Sequence, residues 1–176
     1  GKHFWNRPAR NRFCEDCIVK AREENLPIRV IVLKARQLGF STLIQSWMFE
    51  QCDRERSKNA ITLSYDENST KELIGKAKHV HRNQWFARPT RRNSDEVIEF
   101  SDNGGAIHAR TSGNKSAGRG DTYQIAHFSE VPMWEAAGET LTSAKQAIAL
   151  APGTAVFIES TAKGAVGEFY DAWRAA

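Results

Sequence analysis

Two rhythms of hydrophobic and polar positions run through the chain. Ile28-Arg29-Val30-Ile31-Val32-Leu33 is a short, β-branched apolar run, the signature of a buried strand. Residues 59–64, 123–128 and 154–158 carry similar runs. Between them lie segments of helical period. Residues 12–24 form the first, closed by Asn25 and the Leu26-Pro27 step, because a residue before proline avoids the helical region. Residues 41–55 form the second, with Leu43, Ile44, Trp47 and Met48 along one face. Residues 66–82 follow with Asp66 as N-cap, then residues 134–149 and a short helix over 167–174. Glu96 to Phe100 and Ala106 to Arg110 flank Asp102-Asn103-Gly104-Gly105, which reads as a β-hairpin. Residues 112–121 are polar and glycine-rich, which reads as a mobile loop. Strands alternating with helices predict an α/β fold with a central, mostly parallel sheet flanked by helices. In such sheets, sites gather at the carboxyl ends of strands. Three strands here run into polar groups: Lys34, Ser129-Glu130, and Glu159-Ser160-Thr161.

Composition narrows the class. The 176 residues suggest one domain, with 1–27 as a helical segment leading into a core over 28–176. An apolar fraction of 40% and a charged fraction of 26% are those of a globular protein. Mean hydropathy is −0.55 and no apolar run spans a bilayer. Gly1 to Pro8 lack an apolar core, so no secretory signal is expected and a cytoplasmic location is. The chain does not begin with Met, which suits an excised fragment. A net charge of +4 permits a polyanionic partner without demanding one. Three cysteines make no disulfide framework. Cys14 and Cys17 form a single C-x-x-C within a predicted helix, and zinc needs two further ligands. Lys71, Lys76, Lys78, His79, His81 and Arg82 make one basic stretch. Arg88, Arg91 and Arg92 make another around Trp85 and Phe86. A helical period scatters several of these side chains around the axis, so no residue is assigned to DNA. His127, within a strand, reads as an inter-strand core residue.

The turn after the first strand carries candidate chemistry. Backbone N–H groups at a glycine-containing turn and a helix N-terminus cradle phosphate, a lysine reaches the terminal phosphates, and a hydroxyl ligates Mg²⁺. Against G-x-x-x-x-G-K-[ST], Gly39 takes the second glycine position and Ser41 the hydroxyl position. Lys34 replaces the first glycine, and Phe40 stands where the lysine belongs. Lys34 at the strand end and Arg36 in the loop are the two cations available to phosphate.

Taken together, the segments resemble the ATPase domain of phage and viral terminase large subunits, the DNA-packaging motors. Ala35-Arg36-Gln37-Leu38-Gly39-Phe40-Ser41-Thr42 is similar to their phosphate loop, and Lys34 to a variant with the lysine at the loop's start. Ile125 to Glu130 is similar to Walker B, with Ser129-Glu130 in place of Asp-Glu. Arg119-Gly120 precedes that strand, and Phe157 to Gly164 resembles the family's motif III. The likeness runs from about residue 28 onward.

This resemblance implies a P-loop NTPase of the ASCE, RecA-like type, with ATP and Mg²⁺ as cofactors. It implies Lys34 through Thr42 around the phosphates, and Glu130 orienting the attacking water. Ser41, Ser129 and Glu130 would lie about the metal, Ser129 as a neutral substitute for aspartate. Ser160 and Thr161 would sense the γ-phosphate. Arg119 is the implied arginine finger, acting on a neighbouring subunit's nucleotide, with Arg36 as its competitor in cis. Expected partners are double-stranded DNA, a portal protein, a terminase small subunit and further copies in a ring, at the procapsid portal in the host cytoplasm. The family's nuclease domain is not expected in this chain. Two alternatives stay open: a helicase-like translocase ATPase, and a degenerate P-loop module that binds DNA or a partner without hydrolysis.

Overall fold

A computed structural model describes residues 12–113, 122–164 and 166–176. Seven strands form one sheet: β1 (Ile28–Lys34), β2 (Asn59–Ser64), β3 (Thr90–Ser94), β4 (Val97–Phe100), β5 (Ala106–Thr111), β6 (Ile125–Ser129) and β7 (Ala155–Thr161). Their spatial order is β1-β7-β6-β2-β5-β4-β3. The first five strands in that order run parallel, and β4 and β3 complete the edge antiparallel.

The helices follow from the apolar rhythm. The first, α1, is wound with π-type hydrogen bonds over Phe13–Val19 and continues as α-helix over Lys20–Glu23. Then come α2 (Phe40–Arg54), α3 (Glu67–Arg82), a 3₁₀ turn (Val131–Met133), α4 (Ala137–Gln146) and α5 (Glu168–Arg174). Asp66 caps α3 as expected, accepting a hydrogen bond of 2.7 Å from the Ser69 N–H. The predicted helix over 134–149 is shorter, because the 3₁₀ turn and an extended Trp134 precede it. The strand predicted over 154–158 continues to Thr161, carried by its pairing with β1 through Lys34↔Thr161.

Period-2 alternation sorts side chains between two cores, one on each sheet face. Ile28, Ile125, Ala155 and Phe157 face α1, α2 and α3, packing with Phe13, Phe40, Ile44, Met48 and Phe49. Ile61, Leu63, Ala126, Phe128, Val156 and Ile158 face the other way, onto Val131, Trp134, Leu141 and Phe169. Phe13 lies edge-on to Phe40 at 6.0 Å and tilted against Phe157 at 5.5 Å. α1 is therefore built into the main core. Cys14 and Cys17 both lie on α1, with no disulfide between them.

Two features were not legible in the pattern. Thr90–Ser94 pairs with β4 as the sheet's edge, although Thr-Arg-Arg-Asn-Ser has no apolar face. The β4–β5 turn also closes the end of α2. Asn103 donates to the carbonyls of Cys52 at 3.0 Å and Asp53 at 2.9 Å. The turn lies so close that a Cβ on Gly105 would sit 2.2 Å from the Cys52 carbonyl oxygen.

Candidate nucleotide site

The sheet order brings the three polar strand ends together. β7 lies between β1 and β6, so Lys34, Glu159 and Ser129 occupy adjacent strands at one carboxyl edge. The β1–α2 turn carries two left-handed residues, Gln37 at φ 61° and Gly39 at φ 75°. Glycine takes that conformation without a steric penalty. Gly39 opens α2, and its carbonyl accepts the first helical bond from Leu43 N–H at 3.0 Å. The N–H groups of Phe40, Ser41 and Thr42 precede that first bond and so have no partner within the helix. They form an anion-facing rim, strengthened by the helix dipole.

Phe40 is not at that rim. It is buried, 7% exposed, in the core beside Phe13. The cation at the site is Lys34. Its Nζ lies 3.6 Å from Glu130 Oε1 and 3.6 Å from Glu159 Oε2, with the side chain only 10% exposed. Arg36 is exposed and enters no ion pair among the described residues. Of the two cations the sequence offered, Lys34 is the one held against the carboxylates.

Glu130 is aimed by backbone and neighbours alike. Its φ of 53° is left-handed, unusual for a residue with a Cβ. The Glu130 N–H donates to the Glu159 carbonyl at 2.8 Å, and the Trp134 indole N–H holds the Ser129 carbonyl at 3.0 Å. The side chain does not cap the following turn. Its Oε2 instead accepts from the Ser160 hydroxyl at 2.9 Å and from the Thr161 N–H and hydroxyl, each at 3.3 Å. Ser160 and Thr161, read in the sequence as phosphate sensors, are thus placed on the carboxylate.

Glu159 is the site residue that sequence reasoning passed over. It is fully buried, yet it faces Lys34, and its Oε1 accepts from the Ser129 hydroxyl at 3.2 Å. His127 Nε2 lies 3.2 Å from the same oxygen, off the line of an ideal hydrogen bond. Burial pushes the Glu159 pKa up, but the facing His127 ring, the Lys34 ammonium and the Ser41 hydroxyl outweigh it and hold it at about 2. Glu159 is therefore a carboxylate at neutral pH. His127 belongs to a buried polar chain, with Gln45 Nε2 2.8 Å from both His127 Nδ1 and Thr62 Oγ1. What marks it out is the register, which only the structure supplies: Glu159 is the cross-strand partner of Ser129.

Arg119 lies outside the described residues. Several basic side chains noted in the sequence are paired on the surface: Lys71 with Glu67, Lys78 with Asp95, Arg88 with Asp53 and Asp102, and Arg91 with Glu99. Trp85 and Phe86 are 91% and 87% exposed. Among the described residues, no three His, Cys, Asp or Glu side chains are arranged to hold a metal by themselves, and no helix is long and apolar enough to cross a membrane.

No protein-family model matches the sequence, and neither does any curated protein sequence. Solved structures do match the fold. The large terminase of bacteriophage HK97 is 13% identical with a TM-score of 0.65, covering 84% of this chain and 32% of that one. The large terminase of a thermophilic bacteriophage is 12% identical with a TM-score of 0.57, covering 78% and 34%. The large terminase ATPase domain of Thermus phage P74-26 is 20% identical with a TM-score of 0.53, covering 81% and 62%. The match therefore spans about a third of the first two chains and under two thirds of the last. Identities this low make the likeness one of fold, and that fold is a P-loop NTPase fold.

Proposed function

We propose that this chain is an ATP-hydrolysing motor domain of the terminase type, driving double-stranded DNA into a viral procapsid. One observation carries the proposal: Lys34, at the start of the strand-to-helix turn, lies 3.6 Å from both Glu130 and Glu159. A cation for the terminal phosphates and a carboxylate for the attacking water are thereby at one site.

In this reading the N–H groups that open α2 take the phosphates, within the loop from Lys34 to Thr42. Lys34 leaves its carboxylates for the phosphate oxygens as nucleotide enters. Glu130, fixed by Ser160 and Thr161, then orients water for in-line attack, and phosphoryl transfer is catalysed chiefly by such positioning. Ser160 and Thr161 feel the γ-phosphate through Glu130, which links occupancy to the end of β7.

The residues present suit Mg²⁺. The Ser41 hydroxyl is a hard oxygen ligand, Ser129 and Glu130 line the same edge, and a buried Glu159 oxygen accepts no hydrogen bond among the described residues. The want of an all-protein cage among the described residues fits a cation that keeps its waters and takes phosphate oxygens. When bound, Mg²⁺ neutralises charge on the β- and γ-phosphates. Arg119 is the proposed finger, reaching a neighbouring copy's nucleotide in a ring, and Arg36 is its alternative in cis. A portal protein and a small subunit are the further partners this reading assigns, at the procapsid in the host cytoplasm.

The test is MgATP turnover by the chain and two variants. Lys34→Ala is expected to abolish hydrolysis and weaken ATP binding. Glu130→Gln should keep ATP binding and lose at least about 10²-fold in kcat, the lower range for a positioned base. Binding of ATP without turnover by the unaltered chain, alone or concentrated, would favour the degenerate module.

A further inference from the structure

Glu159 poses a physical problem that its packing does not solve. It is a fully buried carboxylate on the sheet face that also carries Phe157, Ile44 and Met48. A buried ion pair adds little stability over apolar residues of equal volume. The Thr62–Gln45–His127 chain that backs Glu159 is likewise fully buried, so it is a costly way to fill space. That chain and the Ser129 hydroxyl both address Oε1. The other oxygen, Oε2, is shielded from solvent and accepts no hydrogen bond among the described residues, with Lys34 Nζ at 3.6 Å. One oxygen is anchored, and the other faces the Lys34 ammonium, with the Ser41 hydroxyl close enough to the carboxylate to favour its charge.

We infer that Glu159 supplies, from β7, the outer-sphere carboxylate that holds hydrated Mg²⁺ beside Ser41, the place that Ser129 on β6 cannot fill. In P-loop NTPases, Mg²⁺ is held by the loop hydroxyl and an acidic residue on a nearby strand. Position 129 offers only a hydroxyl. Glu159 is its direct cross-strand neighbour, and the two are joined at 3.2 Å. The negative charge has moved one strand toward β1 without leaving the site. Lys34 is the counter-ion in the metal-free state. With Lys34 drawn to the phosphates, Oε2 would be free to accept a hydrogen bond from a hydrated cation. His127 is a positioning residue, which keeps the carboxylate turned this way. The inference rests on the nucleotide-binding reading above.

The experiment is calorimetric titration of ADP into the chain, once with Mg²⁺ and once with chelator, with Mn²⁺ resonance as a direct metal readout. The unaltered chain should bind ADP more tightly with the metal. E159Q should lose roughly tenfold or more of that metal-dependent gain, the usual cost of an outer-sphere partner, the gain being read as the ratio of the two arms within each protein because releasing Lys34 from one carboxylate also alters the metal-free arm. The double variant E159Q/S129D, with the charge returned to the neighbouring strand, should regain most of the gain. An E159Q chain with the unaltered metal dependence, an equal loss in both arms, or no rescue by S129D overturns the inference. Should E159Q not fold, Glu159→Asp keeps the charge but withdraws it, and an undiminished metal gain there overturns it equally. No ADP binding by the unaltered chain in either arm would instead overturn the nucleotide-binding reading itself.

Discussion

Protonation of Glu159 should be visible as a pH-dependent component of folding stability. Its pKa falls from 4.5 to about 2 on folding. At about 1.4 kcal/mol per pH unit, that difference amounts to about 3 kcal/mol. Because the folded value is depressed, the stabilisation is present above the unfolded value. It drains away as pH falls from about 5 toward 2. The side chain is fully buried, so solvent screening does not reduce it. Many carboxylates titrate in this window, and the unaltered chain alone cannot isolate one. Glu159→Gln removes this titration and keeps the shape. Urea unfolding of both proteins, metal-free, from pH 7 to pH 3 gives the difference needed. The stability gap between them should shrink by about 2 kcal/mol by pH 3, the remainder being lost only below the folded value. Curves that stay parallel across that range would refute an ionised Glu159 stabilised by His127, Lys34 and Ser41.

Two further substitutions separate packing from chemistry. Phe40→Ala, which empties a buried ring site beside Phe13, should cost about 3–5 kcal/mol in denaturant unfolding, with ATP affinity of the folded fraction retained. Ser160→Ala should lower kcat about tenfold with little change in KM in steady-state assays, because Glu130 keeps the Thr161 N–H and hydroxyl but loses its 2.9 Å partner.

Much of this molecule is written in its local pattern. The β-branched runs at Ile28–Lys34 and Asn59–Ser64 and the apolar face of α2 are consequences of residue type and spacing. So are the Asp66 cap and the Gly104-Gly105 turn. The alternation of strand and helix fixes an α/β class, and Lys34, Gly39, Ser41 and Glu130 stand out as candidates because polar residues and glycine at the ends of apolar strands and the turns after them have few packing reasons to be there. Thr90–Ser94 could not be read this way: its strand is imposed by pairing with β4, not by an apolar face of its own. The same holds for Glu159. On paper it is one polar letter after Phe157-Ile158, and periodicity assigns it only to a strand end. Its role depends on which strands are neighbours, and strand order is set by long-range packing that no local window contains. Only the placement of β7 between β1 and β6 brings Glu159 against Lys34 and Ser129. Only the fold around α2 sets Gln45 and His127 behind it, and seals a charge where water cannot compete for it.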